Sequence, residues 1–286
     1  MGQVKGLFFS PTSIFLLGLL LCFSYLVYWQ ITPRLLRWIV FYGDDFSGVN
    51  WRTIDLAIVD PSHFTPSEIS SSRTKFFAYL SIGEAEEYRD YWPLVRDQPF
   101  LIEKNPEWPG SHRVDIRSAD WQNLLLTQLI PSFVRQGYHG LFLDTVDTAS
   151  YLESLNPEKF SGSREALVQW IRTVHRQFPD LLLIPNNGLE FLEQYGDVIY
   201  GVGVEDLYTR HDFHENKNYP TPPEIRDGKE RLLDQFRGRY HKAIFNILYE
   251  DSRDSPLARE AIRRSRKKGY LWYLTTVDLN KIGVLN

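Results

Sequence analysis

The sequence is almost without cysteine. Cys22 is the only one among 286 residues, and it lies in an apolar stretch near the N-terminus. The rest of the chain can therefore form neither a disulfide nor a thiolate metal site. No serine lies in a nucleophile-elbow pattern, and His112 and His241 have no evident catalytic partner, which disfavours acyl-transfer chemistry.

A basic surface is also missing. The formal net charge is −4 at pH 7, and the sequence pI is near 6.0. Nucleic-acid binding normally needs a clustered excess of Lys and Arg. The one basic run, RRSRKK at 263–268, is interpreted as the solvated face of a helix. We therefore predict no nucleic-acid partner.

Phosphate-binding and metal-binding motifs are absent as well. GDDFSG, at 43–48, is not the glycine-rich turn of a dinucleotide-binding sheet. His211 and His214 lack the one-turn helical spacing and the third ligand of a zinc protease. We expect them in a long loop that forms one wall of a groove. The sequence predicts no metal and no cofactor.

One long apolar run stands out at the N-terminus. Ser13–Trp29 contains no charge and is at the lower length limit for crossing a bilayer. No small-residue cleavage site follows it, and Tyr28 and Trp29 resemble an interfacial aromatic pair, so an uncleaved signal-anchor is favoured over a removed signal peptide. We expect residues 1–33 to form this segment and residues 34–286 to form the folded domain. The domain is expected on the extracytoplasmic side, anchored or secreted.

The rest of the chain alternates short apolar runs with longer amphipathic stretches. Strands that are apolar on both faces and separated by helices indicate a parallel sheet, and eight of them indicate an α/β fold of the (β/α)8 TIM-barrel class. An open doubly wound sheet is the alternative. The eight runs are 38–45, 55–61, 75–84, 140–147, 181–188, 197–206, 242–250 and 269–278.

Two of the helix-like stretches show clear start signals. The stretches at 118–137 and 163–178 have apolar residues three or four apart, and each begins with a serine, Ser118 or Ser163, that is predicted to be the N-cap. Since only eight residues follow the last strand-like run, the final helix of a regular barrel is expected to be missing or replaced.

Each of the eight runs ends in acid or amide residues. In a barrel, the C-terminal ends of all strands meet at one face. Asp144 directly follows Leu143 in GLFLDTVD, and Glu205 holds the same place in YGVGVED, so both are expected to point into the mouth. Two carboxylates, one acting as nucleophile and one as proton donor, are the groups that glycoside hydrolysis requires.

Four motifs carry a resemblance to a known family. AYLSIGEAE (78–86), GLFLDTVD (140–147), PNNG (185–188) and GVGVEDLYT (201–209) resemble glycoside hydrolase family 114, the endo-α-1,4-polygalactosaminidases. The family is similar to the N-terminal hydrolase domain of PelA, and its members are (β/α)8 barrels that act on galactosamine-rich exopolysaccharide.

The resemblance implies roles for individual residues. Asp144 maps onto the catalytic aspartate, the proposed nucleophile of a retaining mechanism, and Glu205 onto the catalytic acid/base. By the same resemblance, further side chains would line the substrate groove. These are Asp60, Tyr79, Glu84 and Asn187.

A cationic amino-sugar polymer fits the composition of the predicted mouth. Acidic residues there would attract ammonium groups, and aromatic rings would stack on sugars or meet ammonium groups by cation–π contact. Of Trp272 and Tyr273, only one can face the lumen, because side chains alternate along a strand. The acids are Asp44, Asp45, Asp60, Glu84, Asp147 and Asp206, and the aromatics are Tyr42, Tyr79, Tyr208, Trp272 and Tyr273.

Two other functions remain open from the sequence. One is a membrane-tethered barrel that binds carbohydrate without cutting it, and the other is a glycosidase for a different amino-sugar glycan. The separation between the two carboxyl groups, which distinguishes retaining from inverting enzymes, does not follow from sequence.

Overall fold

The computed structural model describes residues 36–69 and 73–286. The predicted signal-anchor at 1–33 lies outside these residues and stays a prediction. Within the described ranges, no helix has both the length and the apolarity needed to span a bilayer.

Fourteen strands are formed in the described residues, and eight of them coincide with the eight predicted runs. The remaining six belong to insertions or to the C-terminal end. The strands are β1 (Trp38–Phe41), β2 (Leu56–Val59), β3 (Lys75–Ser81), β4 (Glu84–Glu86), β5 (Leu101–Lys104), β6 (Ser111–Val114), β7 (Gly140–Asp144), β8 (Leu182–Pro185), β9 (Gly201–Val204), β10 (Thr209–Asp212), β11 (Lys217–Pro220), β12 (Ala243–Tyr249), β13 (Leu271–Thr275) and β14 (Val284–Leu285).

The eight predicted strands form two parallel arcs. One arc has the order β1-β2-β3-β7-β8, and the other contains β9-β12-β13, with β14 added antiparallel to β13. At one edge the arcs are joined by a parallel bridge between Asn186 and Gly203. At the other edge, the ring centroids of Trp38 and Tyr273 lie 5.6 Å apart. This α/β fold with a parallel central sheet is consistent with the predicted TIM barrel.

The helices lie between the strands, as the sequence predicted. The α-helices are Trp92–Val95, Ala119–Leu124, Ile130–Arg135, Thr148–Leu155, Ser163–Gln177, Leu192–Tyr195, Pro223–Tyr240 and Pro256–Lys268, with a π-helical turn at Leu125–Leu129 and 3-10 turns at Trp51–Thr53, Pro66–Glu68 and Leu189–Phe191. After β13, where a regular barrel would have its final helix, the chain forms the short strand β14 instead.

The predicted N-caps have different outcomes. Ser118 is the N-cap of Ala119–Leu124, and its side chain accepts a hydrogen bond from the amide of Trp121. The prediction for Ser163 is wrong. Gly162 holds the cap position in the left-handed region, while the hydroxyl of Ser163 is buried and donates to the carbonyl of Phe160.

Two insertions rise from the C-terminal ends of the parallel strands. After β3 the chain forms a three-stranded antiparallel sheet of order β4-β6-β5, and after β9 it forms the hairpin β10-β11. Residues from both insertions line the same cavity as the strand ends. The predicted long loop containing His211 is therefore this hairpin, with His211 in β10.

Candidate active site

A large cavity opens at the C-terminal ends of the parallel strands. Its volume is about 610 Å³. Nine of the fourteen residues predicted for the site and its mouth line it. They are Tyr42, Asp60, Tyr79, Glu84, Asp144, Asp147, Asn187, Glu205 and Asp206.

The packing below the cavity explains why Asp144 and Glu205 face each other. Residues two apart on a strand share a face, so Asp144 lies one step beyond Phe142 on β7, and Glu205 lies one step beyond Gly203. A Cβ at Gly203 would be 2.8 Å from the ring of Phe142. The missing side chain at 203 thus lets the Phe142 ring pack against β9, directly beneath the two carboxylates.

Asn186 lies beside the two carboxyl groups. Its amide nitrogen donates to Oδ1 of Asp144 at 2.9 Å, and its polar side chain lowers the pKa of Glu205. Asp144 and Glu205 both line the cavity, and the charge of Asp144 adds to burial in raising the pKa of Glu205. The two carboxyl groups therefore face the same cavity and interact electrostatically.

The surroundings of Glu205 keep it protonated at neutral pH. Burial and the nearby charge of Asp144 raise its pKa from 4.5 to about 8, against hydrogen bonds that lower it. One of these comes from the hydroxyl of Tyr249, which donates to Oε1 of Glu205 at 2.8 Å. The result is a carboxylic acid that can donate a proton near pH 7.

The backbone of Glu205 is also held. Its amide donates to Oδ1 of Asn187 at 3.2 Å, and Nζ of Lys229 donates to its carbonyl oxygen at 2.7 Å. Lys229 belongs to the helix Pro223–Tyr240. Asn187, which was predicted to contact substrate, therefore lines the cavity and also holds the backbone of Glu205.

The turns after β7, β8 and β9 share an uncommon backbone conformation. Thr145, Asn187 and Asp206 have φ values of 58°, 59° and 51°. Non-glycine residues in this left-handed region are strained and are concentrated at functional sites. The strain at Thr145 is offset in part because its hydroxyl accepts from the amide of Gly83 at 2.8 Å.

Glu84 is a third buried carboxyl group in the cavity. Burial and the charge of Asp144 raise its pKa to about 7, while a hydrogen bond from Asn105 and the charge of Arg113 act in the opposite direction. The Asn105 amide lies 2.9 Å from Oε1 of Glu84. Glu84 therefore changes charge close to neutral pH, within electrostatic reach of Asp144.

Arg89 is a positive group that sequence reasoning missed. Its guanidinium lies 2.5 Å from Asp60 and 2.7 Å from Glu86, and its carbon lies 5.4 Å from the centroid of the Tyr79 ring. Asp60 is therefore ion-paired, so its attraction for a cationic sugar is reduced. The spacing of Glu86 and Arg89, three residues apart, could have predicted their ion pair from the sequence. The ion pair with Asp60 joins distant segments and is visible only in the tertiary structure.

Trp272 and Tyr273 do not line the cavity, and the prediction that one of them would is wrong. Trp272 is buried beneath Arg266, whose guanidinium carbon is 5.4 Å from its ring. Tyr273 is fully buried against Trp38, and its hydroxyl accepts from the amide of Gly283. Both lie near the middle of β13, too far from its C-terminal end to reach the mouth.

Three further expectations about the mouth fail. Tyr208 is buried, and its hydroxyl donates to Glu230 rather than facing the cavity. Asp44 and Asp45 are exposed in the turn after β1 and lie outside the lining. Oδ1 of Asp45 instead accepts from the amide of Ser47, which is the ordinary turn role of an aspartate.

Asp147 and His211 line the cavity without a metal-binding arrangement. Asp147 occupies the N-cap position of Thr148–Leu155, but its side chain makes no capping hydrogen bond. Nδ1 of His211 is 2.8 Å from the side-chain oxygen of Asn218. Among the described residues, no three His, Cys, Asp or Glu side chains are grouped so that they could hold a metal ion.

Comparison with known proteins gives consistent matches over most of the chain. The model described as glycoside-hydrolase family GH114 matches residues 27–286. The structure is similar to that of the glycoside hydrolase domain of PelA from Pseudomonas aeruginosa, with 27% identity, a TM-score of 0.75, and coverage of 87% of this chain and 97% of that one.

Two further similarities extend this result. Ega3 of Aspergillus fumigatus, solved in complex with galactosamine, is 15% identical with a TM-score of 0.69, covering 89% of this chain and 96% of that one, and shows the same fold. An uncharacterized protein of Deinococcus radiodurans is 28% identical over 264 residues, which are 86% of this chain and 80% of the relative.

Proposed function

The chain belongs to glycoside hydrolase family GH114, and from that premise we propose that it is an endo-acting glycosidase that cleaves α-1,4-linked galactosamine-containing polysaccharide. The observation that carries the proposal is the pair Asp144 and Glu205, which line the same cavity and interact electrostatically, with Asn186 donating a hydrogen bond to Asp144. We also propose that the two parallel arcs close as a (β/α)8 barrel, which would bring all eight strand ends to this cavity.

The proposed mechanism uses the two carboxyl groups in different protonation states. Glu205, with its pKa raised to about 8, donates its proton to the glycosidic oxygen as the bond to the anomeric carbon breaks. Asp144 attacks that carbon and forms a glycosyl-enzyme ester. Glu205, now a carboxylate, takes a proton from water, which displaces Asp144 and regenerates both groups.

The charge of the cavity supports a cationic substrate. Nine carboxylate residues line it, against two arginines, Arg89 and Arg113. Arg89 neutralises part of the charge of Asp60 and Glu86. The remaining acids, which include Asp147 and Asp206, would attract the ammonium groups of a de-acetylated amino sugar.

Substitution of the two carboxyl groups tests the assignment. We expect Asp144→Asn and Glu205→Gln each to lower the release of reducing ends from de-acetylated polymer by roughly 10³-fold or more. Asp44→Asn, an exposed acid outside the cavity, is the matched control and should retain full activity. Near-normal activity in either cavity variant would refute the mechanism.

The wild-type protein distinguishes the other functions. A non-catalytic carbohydrate-binding barrel would retain the polymer on a native gel and release no reducing ends. A glycosidase for another amino-sugar glycan would cleave that glycan faster in a substrate panel. The anomeric configuration of the first product, followed by NMR, decides between retention and inversion.

The location of the enzyme is also a proposal. We propose that residues 1–33 anchor the domain to a membrane with the cavity on the extracytoplasmic side, as the apolar run Ser13–Trp29 indicates. Protease added to intact cells should then digest the domain, and alkaline extraction of membranes should not release it.

A further inference from the structure

The exposed aromatic side chains of the protein are concentrated around one cavity. Among the described residues, four aromatic rings are classed as exposed, and all four line the cavity of the catalytic pair. The exposed large aliphatic side chains, such as Leu94 and Ile225, all lie elsewhere. The four rings and their exposed fractions are Tyr88 at 63%, Trp108 at 47%, Tyr151 at 42% and Phe213 at 40%.

Trp108 and Phe213 touch each other across two separate insertions. Trp108 lies in the loop between β5 and β6, and Phe213 lies in the turn of the β10-β11 hairpin. Their ring centroids are 5.2 Å apart with the planes at 73°. In such an edge-to-face pair, one ring presents only its edge to the other, so both of its faces stay uncovered by the partner.

The other two rings are held differently. The guanidinium of Arg89 lies 4.9 Å from the centroid of Tyr88, and that of Arg113 lies 4.1 Å from the centroid of Tyr151. Each of these rings therefore has a cation over one face. No Arg or Lys lies over the ring of Trp108 or Phe213 among the described residues, although Phe213 also meets the ring of His211, with centroids 4.9 Å apart and planes at 76°. The indole of Trp108, with Phe213 at its side, is therefore best placed to receive the C–H face of a sugar.

We propose that Trp108 and Phe213 form a pyranose-binding subsite that holds an amino-sugar unit of the polymer away from the bond being cleaved. The proposal rests on the proposed function in that it takes a polysaccharide as the occupant. The C–H face of a pyranose would stack on the indole or phenyl ring. Glu107, the exposed neighbour of Trp108 in the cavity lining, would meet the ammonium group.

Three features support an amino-sugar occupant. The pair is continuous with the cavity that contains Asp144 and Glu205. Glu107 and Asp206 line the same cavity as the two rings, so the pair lies beside the acid-rich mouth. Finally, exposed apolar rings grouped at one place mark binding surfaces, and covering them with a ligand is favourable by about 25 cal/mol per Å² of apolar surface.

The first experiment measures steady-state kinetics on long de-acetylated galactosamine polymer with the full chain. We expect Trp108→Ala and Phe213→Ala each to raise KM about tenfold while kcat changes less than about twofold, because stacking in a subsite remote from the cleaved bond acts on binding. The double variant should lose less than the product of the single effects, since the two rings are in contact.

Conservative and matched variants separate stacking from structure. Trp108→Phe and Phe213→Trp keep a ring and should recover most of the lost affinity. Leu94→Ala removes an apolar side chain that is even more exposed, at 59%, and lies outside the cavity, so it should leave KM unchanged. An unchanged KM in both alanine variants, or no recovery with the ring-preserving variants, would overturn the subsite.

A binding measurement keeps this test independent of catalysis. If the wild-type chain releases no reducing ends, the proposed function fails, and retardation in native gels containing the polymer still reports the subsite. Weaker retardation of Trp108→Ala and Phe213→Ala than of Leu94→Ala would support the subsite without the enzyme. Equal retardation of all three would refute it.

Discussion

At the scale of single residues, Glu205 is defined by its neighbours. Burial and the charge of Asp144 raise its pKa, while the hydrogen bond from the Tyr249 hydroxyl lowers it. Lys229 and Asn187 hold its backbone. We therefore expect the protonation state of Glu205 to set the pH range of activity and part of the pH dependence of folding stability.

The activity of the wild-type chain should fall as pH rises through about 8. Above that value Glu205 is a carboxylate and cannot protonate the leaving oxygen. Tyr249→Phe removes a hydrogen bond to the charged form, so we expect the alkaline limb of kcat/KM to move to higher pH. An alkaline limb that stays in place in this variant would contradict the assignment of the limb to Glu205.

The raised pKa of Glu205 should also make folding stability depend on pH. Between pH 4.5, its ordinary pKa, and about 8, Glu205 holds its proton in the folded chain and loses it in the unfolded chain. The folded state then binds more protons, so this group makes stability decrease as pH rises through that window. Glu205→Gln should gain Tm relative to wild type between pH 5 and pH 9, whereas Asp44→Asn should follow wild type throughout.

At the scale of elements, the alternation of side chains along β7 and β9 positions Asp144 and Glu205. Phe142 fills the space left by Gly203, and the next inward residues are Asp144 and Glu205. A Cβ at Gly203 would lie 2.8 Å from the Phe142 ring and 2.9 Å from Oδ1 of Asn186. A methyl group there would push on the same two side chains that support the carboxylates.

We expect Gly203→Ala to destabilise the fold by about 1–3 kcal/mol through overpacking and to lower kcat by roughly 10- to 100-fold through misplacement of the pair. Gly238→Ala is the matched control. Gly238 lies inside the helix Pro223–Tyr240, and a Cβ there meets nothing within 4 Å. Gly238→Ala should stabilise the protein by about 0.5–1 kcal/mol and leave kcat unchanged. Thermal unfolding measures the stability of the two variants, and steady-state kinetics measures their kcat.

At the scale of the whole molecule, the seam between β1 and β13 holds the two arcs together. Trp38 is fully buried there, with its ring centroid 5.2 Å from that of Phe245 and 5.6 Å from that of Tyr273. Tyr273 thus packs at this seam and lies outside the cavity lining. The acid-rich cavity lies at the C-terminal ends of the strands that this seam keeps in place.

Trp38→Ala should lower the free energy of unfolding by about 3–5 kcal/mol, because a large buried ring is lost and a cavity remains. Trp108→Ala removes the same side chain from an exposed position and should change stability by less than about 0.5 kcal/mol. Urea unfolding of the two variants gives the comparison, and equal losses would mean that the seam contributes no more than a surface residue.

Much of the site was predictable because strand ends can be located in the sequence. The runs that end at Asp144 and Glu205 are apolar and short, so the acids after them had to lie at the mouth. Arg89 and Asn186 were not predicted as site residues. Arg89 lies in an insertion, and the role of Asn186 depends on which strands are neighbours.

The sequence by itself determined the eight parallel strands and the strand-end location of Asp144 and Glu205, because the side-chain alternation and apolar runs that specify them are local. Only the tertiary structure decided which charges are paired, which rings are buried and which face the cavity. Asp60 meets Arg89 from another segment, Tyr273 packs on Trp38, and Trp108 meets Phe213 across two insertions. Such contacts join residues far apart in the chain, and no local pattern encodes the distance between them.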